Sequence, residues 1–231
     1  MANFVEFSGA AALNQNFAKK IADSLRQGII DNGRAGLVVS GGRTPLGLFE
    51  QLTQQELDWS HVVITLADER WVEPDNASSN EKLVRKNLLK GHAAKARFIP
   101  LKNSQSTPFD GEELTEQALS KFPWPADVVI LGMGDDGHTA SLFPGATNLN
   151  PALALDSGRL CMGMTPLTAP LDRITLTLPA LLDSRHIYLH LVGDSKRDVY
   201  EQAAQGTDVN EMPVRAVLGQ QKTPVDVYWT V

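Results

Sequence analysis

At 231 residues, with 42% hydrophobic and 21% charged side chains, the chain has the make-up of a soluble globular protein that can bury a full core without disulfide or metal staples. Cys161 is the only cysteine, which excludes an internal disulfide and points to a reducing compartment, the cytoplasm. A formal net charge of −6 without a Lys/Arg cluster argues against nucleic acid as a partner, and no apolar run approaches the ~20 residues of a membrane span. The opening MANFVEFSGA lacks the basic segment and apolar core of a signal peptide.

Strand-like and helix-like segments then alternate. Asn3–Ser8 reads as a first strand, and Ala10–Asn32 as a helix with Leu13, Phe17, Ile21, Leu25 and Ile29 on one face and Gly33 at its end. Leu37–Ser40 is a short apolar run that stops at Gly41-Gly42, with Pro45 suited to the first turn of the next helix. Val62–Ala67 is a second apolar run, ending in Asp68-Glu69-Arg70. Ser78-Ser79-Asn80-Glu81 fits a capping box, predicting a helix to about Lys90. Glu112–Phe122 reads as a helix and Asp127–Leu131 as a buried strand; Asn148–Thr168 is irregular and reads as surface loops. Ile174–Leu178 has strand propensity, Pro179–Leu182 is a short helix, Arg185–Val192 a strand, Ser195–Ala204 a helix and Val225–Val231 a last strand. This alternation predicts an α/β fold, a mostly parallel sheet with helices on both faces. No composition shift divides the chain, so residues 1–231 read as one domain.

In open parallel sheets ligands sit beyond the carboxyl ends of the strands. Four polar clusters come directly after apolar strands here: Ser40–Thr44, Asp68–Arg70, Gly132–His138 and Gly193–Arg197. One fold could bring all four to one edge.

The most distinctive is GMGDDGHTASLFPG, from Gly132 to Gly145. Its glycines, Gly134 among them, permit tight turns and close approach to a ligand. Asp136 and His138 lie two apart, so the carboxylate could orient the imidazole as a general base; the bland alternative is a surface Asp and His on a turn. Gly132, Gly134 and Gly137 also match the dinucleotide fingerprint G-x-G-x-x-G. That match fails in context, because Pro144-Gly145 interrupts the helix the fingerprint must open, and Asp135-Asp136 would face a pyrophosphate.

Ser40-Gly41-Gly42-Arg43-Thr44-Pro45 is a strand-to-helix turn rich in amides and hydroxyls, for which phosphate is the natural ligand; a plain tight turn is the alternative. Arg70 could pair with the same anion, its direction fixed by Asp68 or Glu69, and Lys196 could point its ammonium there from the start of a helix. A surface ion pair and a helix-surface lysine are the competing readings. Arg173, just before a strand, reads as solvated charge on its own. His186 and His190 would be ~13 Å apart in a strand, too far to share an ion, and His61 and His92 have no partner at ligand spacing, so no metal is expected. Trp71, Trp124 and Trp229 read as packing residues.

With these residues in place, GMGDDGHTASLFPG, DERWV with SSN after it, the SGG-x-TP turn and RITLTLPAL together resemble the 6-phosphogluconolactonase family, from about Val38 to Lys196 and in matching order. The related glucosamine-6-phosphate deaminases share the Gly-Gly turn and Asp-Gly-His, but continue from the latter into a Phe-Asn-Glu-Pro-type stretch. Here that stretch is Ser141-Leu142-Phe143-Pro144-Gly145, without Glu, and Arg70 stands where a Tyr is common. The resemblance implies a Rossmann-like fold, no cofactor, and hydrolysis of a phosphorylated sugar lactone in the pentose phosphate pathway. It implies His138 as base supported by Asp136, and Ser40, Gly41, Gly42, Thr44, Arg70 and Lys196 around the phosphate. Asp68, Gly134 and Arg173 complete the implied substrate site; Arg43, a departure from the Ser often found there, is placed with the phosphate ligands, the alternative being that its long cation points to solvent. A sugar-phosphate isomerase or deaminase and a non-catalytic sugar-phosphate sensor are the rival functions. Monomer and dimer both remain open.

Overall fold

The computed structural model describes residues 2–231. Seven strands form an all-parallel sheet: β1 (Asn3–Glu6), β2 (Ala35–Val39), β3 (Val62–Leu66), β5 (Arg97–Ile99), β6 (Val128–Leu131), β9 (Ile187–Val192) and β10 (Val225–Thr230), in the order β1-β10-β9-β6-β2-β3-β5. Three more, β4 (Asp68–Arg70), β7 (Cys161–Met164) and β8 (Arg173–Leu176), form an antiparallel sheet in the order β4-β8-β7. The helices are α1 (Ala10–Asn32), α2 (Leu46–Leu52), α3 (Asn80–Asn87), α4 (Pro108–Leu119), α5 (Leu149–Leu153), α6 (Leu178–Leu182), α7 (Asp194–Gln205) and α8 (Val214–Leu218).

Local chemistry accounts for the elements. Every residue of β2, β3 and β6 is buried, as expected where helices cover both faces of a parallel sheet. The predicted face of α1 is inward, with Leu13, Phe17, Ile21 and Leu25 fully buried, and the helix ends where Gly33 adopts the left-handed conformation. Phe17 packs between Tyr188 and Tyr228 at ring-centroid distances of 4.9 and 4.8 Å, tying α1 to β9 and β10.

Sheet order places the ligand crevice. From β2 the chain winds one way through β3 and β5; β6 then returns to the other side of β2, and β9 and β10 continue in that direction. The reversal lies between β2 and β6, where an open α/β sheet leaves a crevice at its carboxyl edge. The Ser40 hydroxyl donates to the Ile130 carbonyl at 3.0 Å and ties the two strands there.

Several segments differ from the sequence expectation. Asp68–Arg70 is a strand of the second sheet, because Ala67 bonds both sheets: its amide donates to the Val39 carbonyl and its carbonyl accepts from the Leu176 amide. Asn148–Thr168 contains α5 and β7 in place of surface loops. The cause is remote: Glu112 and Glu116 of α4 accept the amides of Leu160, Cys161 and Gly163, and β7 pairs with β8. Helix α4 starts four residues sooner than expected, with Thr107 as its cap and Pro108 in its first turn. Strand β8 begins at Arg173 and ends at Leu176, since Thr177 caps α6. Strand β5 and helix α8 are not expected from the sequence.

Candidate active site

The four polar clusters converge. Strand β2 delivers Ser40–Thr44, β3 leads directly into Asp68–Arg70, β6 into Gly132–His138, and β9 into Gly193–Arg197. Strands β9, β6, β2 and β3 are successive neighbours, so the clusters meet around one cavity of about 240 Å³. Ser40, Gly41, Gly42 and Thr44 line it from the turn, Asp68 and Arg70 from β4, Gly134 and His138 from the loop after β6, and Lys196 from α7. Asp136 stands behind His138, and Arg173 lies behind the wall. Arg43 is exposed and does not line the cavity.

The Asp136–His138 arrangement is built by the loop itself. Asp136 Oδ1 accepts from His138 Nδ1 at 2.5 Å and from the His138 amide at 3.1 Å, so one carboxylate oxygen fixes both the ring and its backbone. The hydrogen bond to His138 holds the Asp136 carboxyl below the usual carboxylate range, against the opposing effect of burial. With Nδ1 engaged by an anion, Nε2 is the nitrogen left to accept a proton. A Cβ at Gly134 would lie 2.1 Å from His138 Nδ1 and 2.7 Å from Asp136 Oδ1, so the pair forms only against a glycine. The loop closes through Gly134 N–H donating to the His138 carbonyl at 2.8 Å and Thr139 Oγ1 donating to the Gly132 carbonyl at 2.8 Å. No helix opens after Gly137; the next begins at Leu149, in keeping with the failed dinucleotide match.

Phe143 holds the imidazole from the side, its ring stacked on His138 at 4.0 Å between centroids and 27° between planes. The Arg173 guanidinium lies 5.4 Å from the centre of the Phe143 ring. Arg173 is buried, in place of the solvated charge its position suggests, and it sits directly opposite Arg70 in the β4–β8 ladder. Burial pulls its guanidinium pKa down, the nearby Asp68 charge opposing this. The buried Nε atoms of both arginines lack a hydrogen-bond partner, and Arg70 is anchored by one donation, Nη1 to the Ser78 carbonyl at 2.6 Å. Arg70 lines the cavity on that single anchoring bond and suits an anionic ligand, with Arg173 adding positive charge beside it.

Glu69 and Asp68 have different duties. Glu69 is fully buried and accepts from the amides of Arg70, Asn80 and Glu81 and from the Ser79 hydroxyl, at 2.7–3.0 Å. It therefore caps α3 from a distant strand, while burial pushes its carboxyl pKa up against those hydrogen bonds. The predicted capping box is replaced: Ser79 is the N-cap, and Glu81 turns to Arg85. Asp68 faces the cavity and accepts from Ser141 Oγ at 2.5 Å and from Asn80 Nδ2 at 3.3 Å. Asn80 also bears on the phosphate-type turn, because a Cβ at Gly41 would lie 1.9 Å from Asn80 Oδ1.

Sequence reasoning does not single out Phe143, Ser141, Asn80 or His190 for the site. The first two lie inside the GMGDDGHTASLFPG string, and Asn80 signals only a helix start. His190 reaches the cavity wall from β9, fully buried, with neither ring nitrogen bonded. His186 bonds Asp226 at 3.0 Å, so the two histidines serve separate neighbourhoods. No helix among the described residues is long and apolar enough to cross a membrane.

The chain is thus a doubly wound α/β protein with an anion-suited pocket and a carboxylate-held histidine at the sheet's carboxyl edge. Residues 8–229 match the family model described as glucosamine-6-phosphate isomerases/6-phosphogluconolactonase, and the chain belongs to that family. It is 42% identical over 228 residues to a 6-phosphogluconolactonase of Rhizobium meliloti (strain 1021), covering 99% of this chain and 98% of the relative. A solved structure of a 6-phosphogluconolactonase from Shewanella baltica OS155 superposes with a TM-score of 0.98 at 52% identity, over 100% of this chain and 98% of that one. A monomeric glucosamine-6-phosphate deaminase shares the fold, with a TM-score of 0.80 at 18% identity over 99% and 97% of the two chains.

Proposed function

We propose that this chain is a 6-phosphogluconolactonase, hydrolysing 6-phospho-D-glucono-1,5-lactone to 6-phosphogluconate in the oxidative pentose phosphate pathway, in the cytoplasm. The relatives' shared activity supports the reaction, and the Asp136–His138 pair on the wall of a cationic pocket is the observation that carries the mechanism. His138 Nε2 takes a proton from a water as its oxygen attacks C1. The C1–ring-oxygen bond then breaks, and the imidazolium returns its proton to the departing C5 oxygen, giving the acid and a free hydroxyl. Asp136 keeps the ring in the working tautomer and stabilises the imidazolium. The Ser40–Thr44 turn, Arg70 and Lys196 hold the phosphate, remote from C1, and that binding energy fixes the orientation of the lactone.

A lactone carbonyl is already electrophilic, so this route needs no covalent nucleophile. The test is to generate the phosphorylated lactone enzymatically and track its loss with and without the protein. A loss no faster than spontaneous opening refutes the proposal.

A further inference from the structure

Lys196 reaches the cavity from the first turn of α7, but its ammonium is already engaged. Nζ is paired with Asp135 Oδ1 at 2.5 Å, across 61 residues of chain. The Asp135 side chain is 83% exposed, against 25% for Lys196, and its carboxylate makes no other hydrogen bond among the described residues. Its neighbours differ: Gly134 and Asp136 are both bound into the loop that holds His138. Asp135 therefore adds an anion to the phosphate side of the cavity without adding to the loop's own framework.

We propose that Asp135 is a specificity residue, an internal anion that occupies Lys196 until a phosphate displaces it; this rests on the reading of Lys196 as a phosphate ligand. The exchange is selective by charge and geometry. A phosphate dianion brings a second charge and three oxygens, which the Ser40–Thr44 turn and Arg70 engage together with Lys196. A monoanionic carboxylate brings no more charge than Asp135 itself. The product carries both groups, a phosphate at one end and a new carboxylate at the other. Asp135 thus disfavours the reversed pose, with the product carboxylate on Lys196. An unphosphorylated sugar acid gains nothing by opening the pair, because its single charge only replaces that of Asp135. When product leaves, Asp135 closes on Lys196 again and assists release.

The experiment is titration calorimetry of 6-phosphogluconate, inorganic phosphate and gluconate into the wild-type protein, Asp135→Asn, Asp135→Glu, Lys196→Ala and the Asp135→Asn/Lys196→Ala double variant. Removing a competing exposed partner should tighten both phosphorylated ligands roughly two- to fivefold in Asp135→Asn, the range of an exposed ion pair. The gain should shrink at high salt, where such a pair is screened. Gluconate, whose carboxylate Asp135 keeps off Lys196 in the wild type, should also bind more tightly to Asp135→Asn, Asp135→Glu should stay near wild type, and Asp135→Asn should add nothing on the Lys196→Ala background. If Lys196→Ala weakens phosphate binding but Asp135→Asn leaves it unchanged or weaker, the competition is refuted while the Lys196 reading stands. If Lys196→Ala leaves phosphate affinity intact, Lys196 is not a phosphate ligand and both fall.

Discussion

If His138 is the base and Asp136 acts only through it, replacing either should damage one and the same function. The perturbation that isolates the charge is Asp136→Asn, which keeps the shape and the contact to the His138 amide. In the wild type the carboxylate is 2.5 Å from Nδ1 and its side chain is 38% exposed, so solvent screens part of its field. At an effective dielectric of about 20–40, a charge pair about 4 Å apart interacts by roughly 2–4 kcal/mol. That stabilisation arises only when the imidazole becomes charged in the transition state, so it falls on kcat. Asp136→Asn should therefore lower kcat by roughly 30- to 1,000-fold with a small change in KM. His138→Ala should lower it by about 10²–10⁴. The double variant should be little worse than His138→Ala, because both changes act through one ring. The hydrogen bond to His138 holds the Asp136 carboxyl below the usual carboxylate range, so the charge that Asp136→Asn removes is present throughout the neutral range of the assay. The assay measures loss of freshly generated lactone, corrected for spontaneous opening. A folded His138→Ala protein with near-wild-type kcat would remove histidine from the mechanism, and fully additive losses would separate Asp136 from it.

Arg70→Ala should weaken transition-state binding of the phosphorylated lactone by about 1.5–3 kcal/mol through loss of a charged hydrogen bond; equal losses in kcat/KM on the unphosphorylated lactone would show that Arg70 does not read phosphate. Gly134→Ala places a methyl 2.1 Å from His138 Nδ1 and should lower kcat at least tenfold while the protein stays folded, with kinetics and a melting curve as the joint check. His190 gives a pH test of stability: burial pushes its pKa down to about 4, below the unfolded value of about 6.5. The unfolded chain then takes up the proton first, so this contribution is full above about pH 6.5 and is lost as pH falls toward about 4, by up to about 3 kcal/mol. His190→Phe should flatten that part of the Tm-versus-pH curve, and an unchanged slope would contradict the assignment.

How much of the molecule is legible in its sequence depends on the range of the interactions involved. The helix α1, the buried strands and the polar clusters at strand ends are readable because periodicity and turn chemistry act over a few residues. The meeting of those clusters requires more than β-α alternation: β6 must return to the far side of β2, a reversal that sets the ends of β9, β6, β2 and β3 side by side and that no local pattern specifies. Asn148–Thr168 reads wrongly as loops because its order comes from Glu112 and Glu116, more than 40 residues away, which take up amides that no local pattern assigns. Arg173 reads as solvated for a related reason. Its burial comes from a cross-strand neighbour, Arg70, more than 100 residues distant, and from the Phe143 ring. Glu69 is invisible in the same way, since its role as cap exists only once β4 has been placed beside α3.

Fold similarity does not by itself separate the two activities of this family, since a deaminase superposes over nearly the whole chain. The separation has to come from the stretch immediately after Asp-Gly-His. Here Thr139 bonds back to the Gly132 carbonyl, Ser141 donates to Asp68, and Phe143 stacks on the imidazole. Each notable side chain of that stretch is thus committed to holding the His138 imidazole, the loop or the neighbouring carboxylate, and none offers a second acid to the cavity. Moving a hydrogen between two sugar carbons asks for a proton donor and acceptor placed along the carbon chain. Opening a lactone asks for one base beside one water, with the ring oxygen close enough to take the same proton back. A single imidazole, fixed by one carboxylate and one aromatic ring, meets the second demand, and its rigidity is an advantage because base and attacked carbon need only one relative geometry.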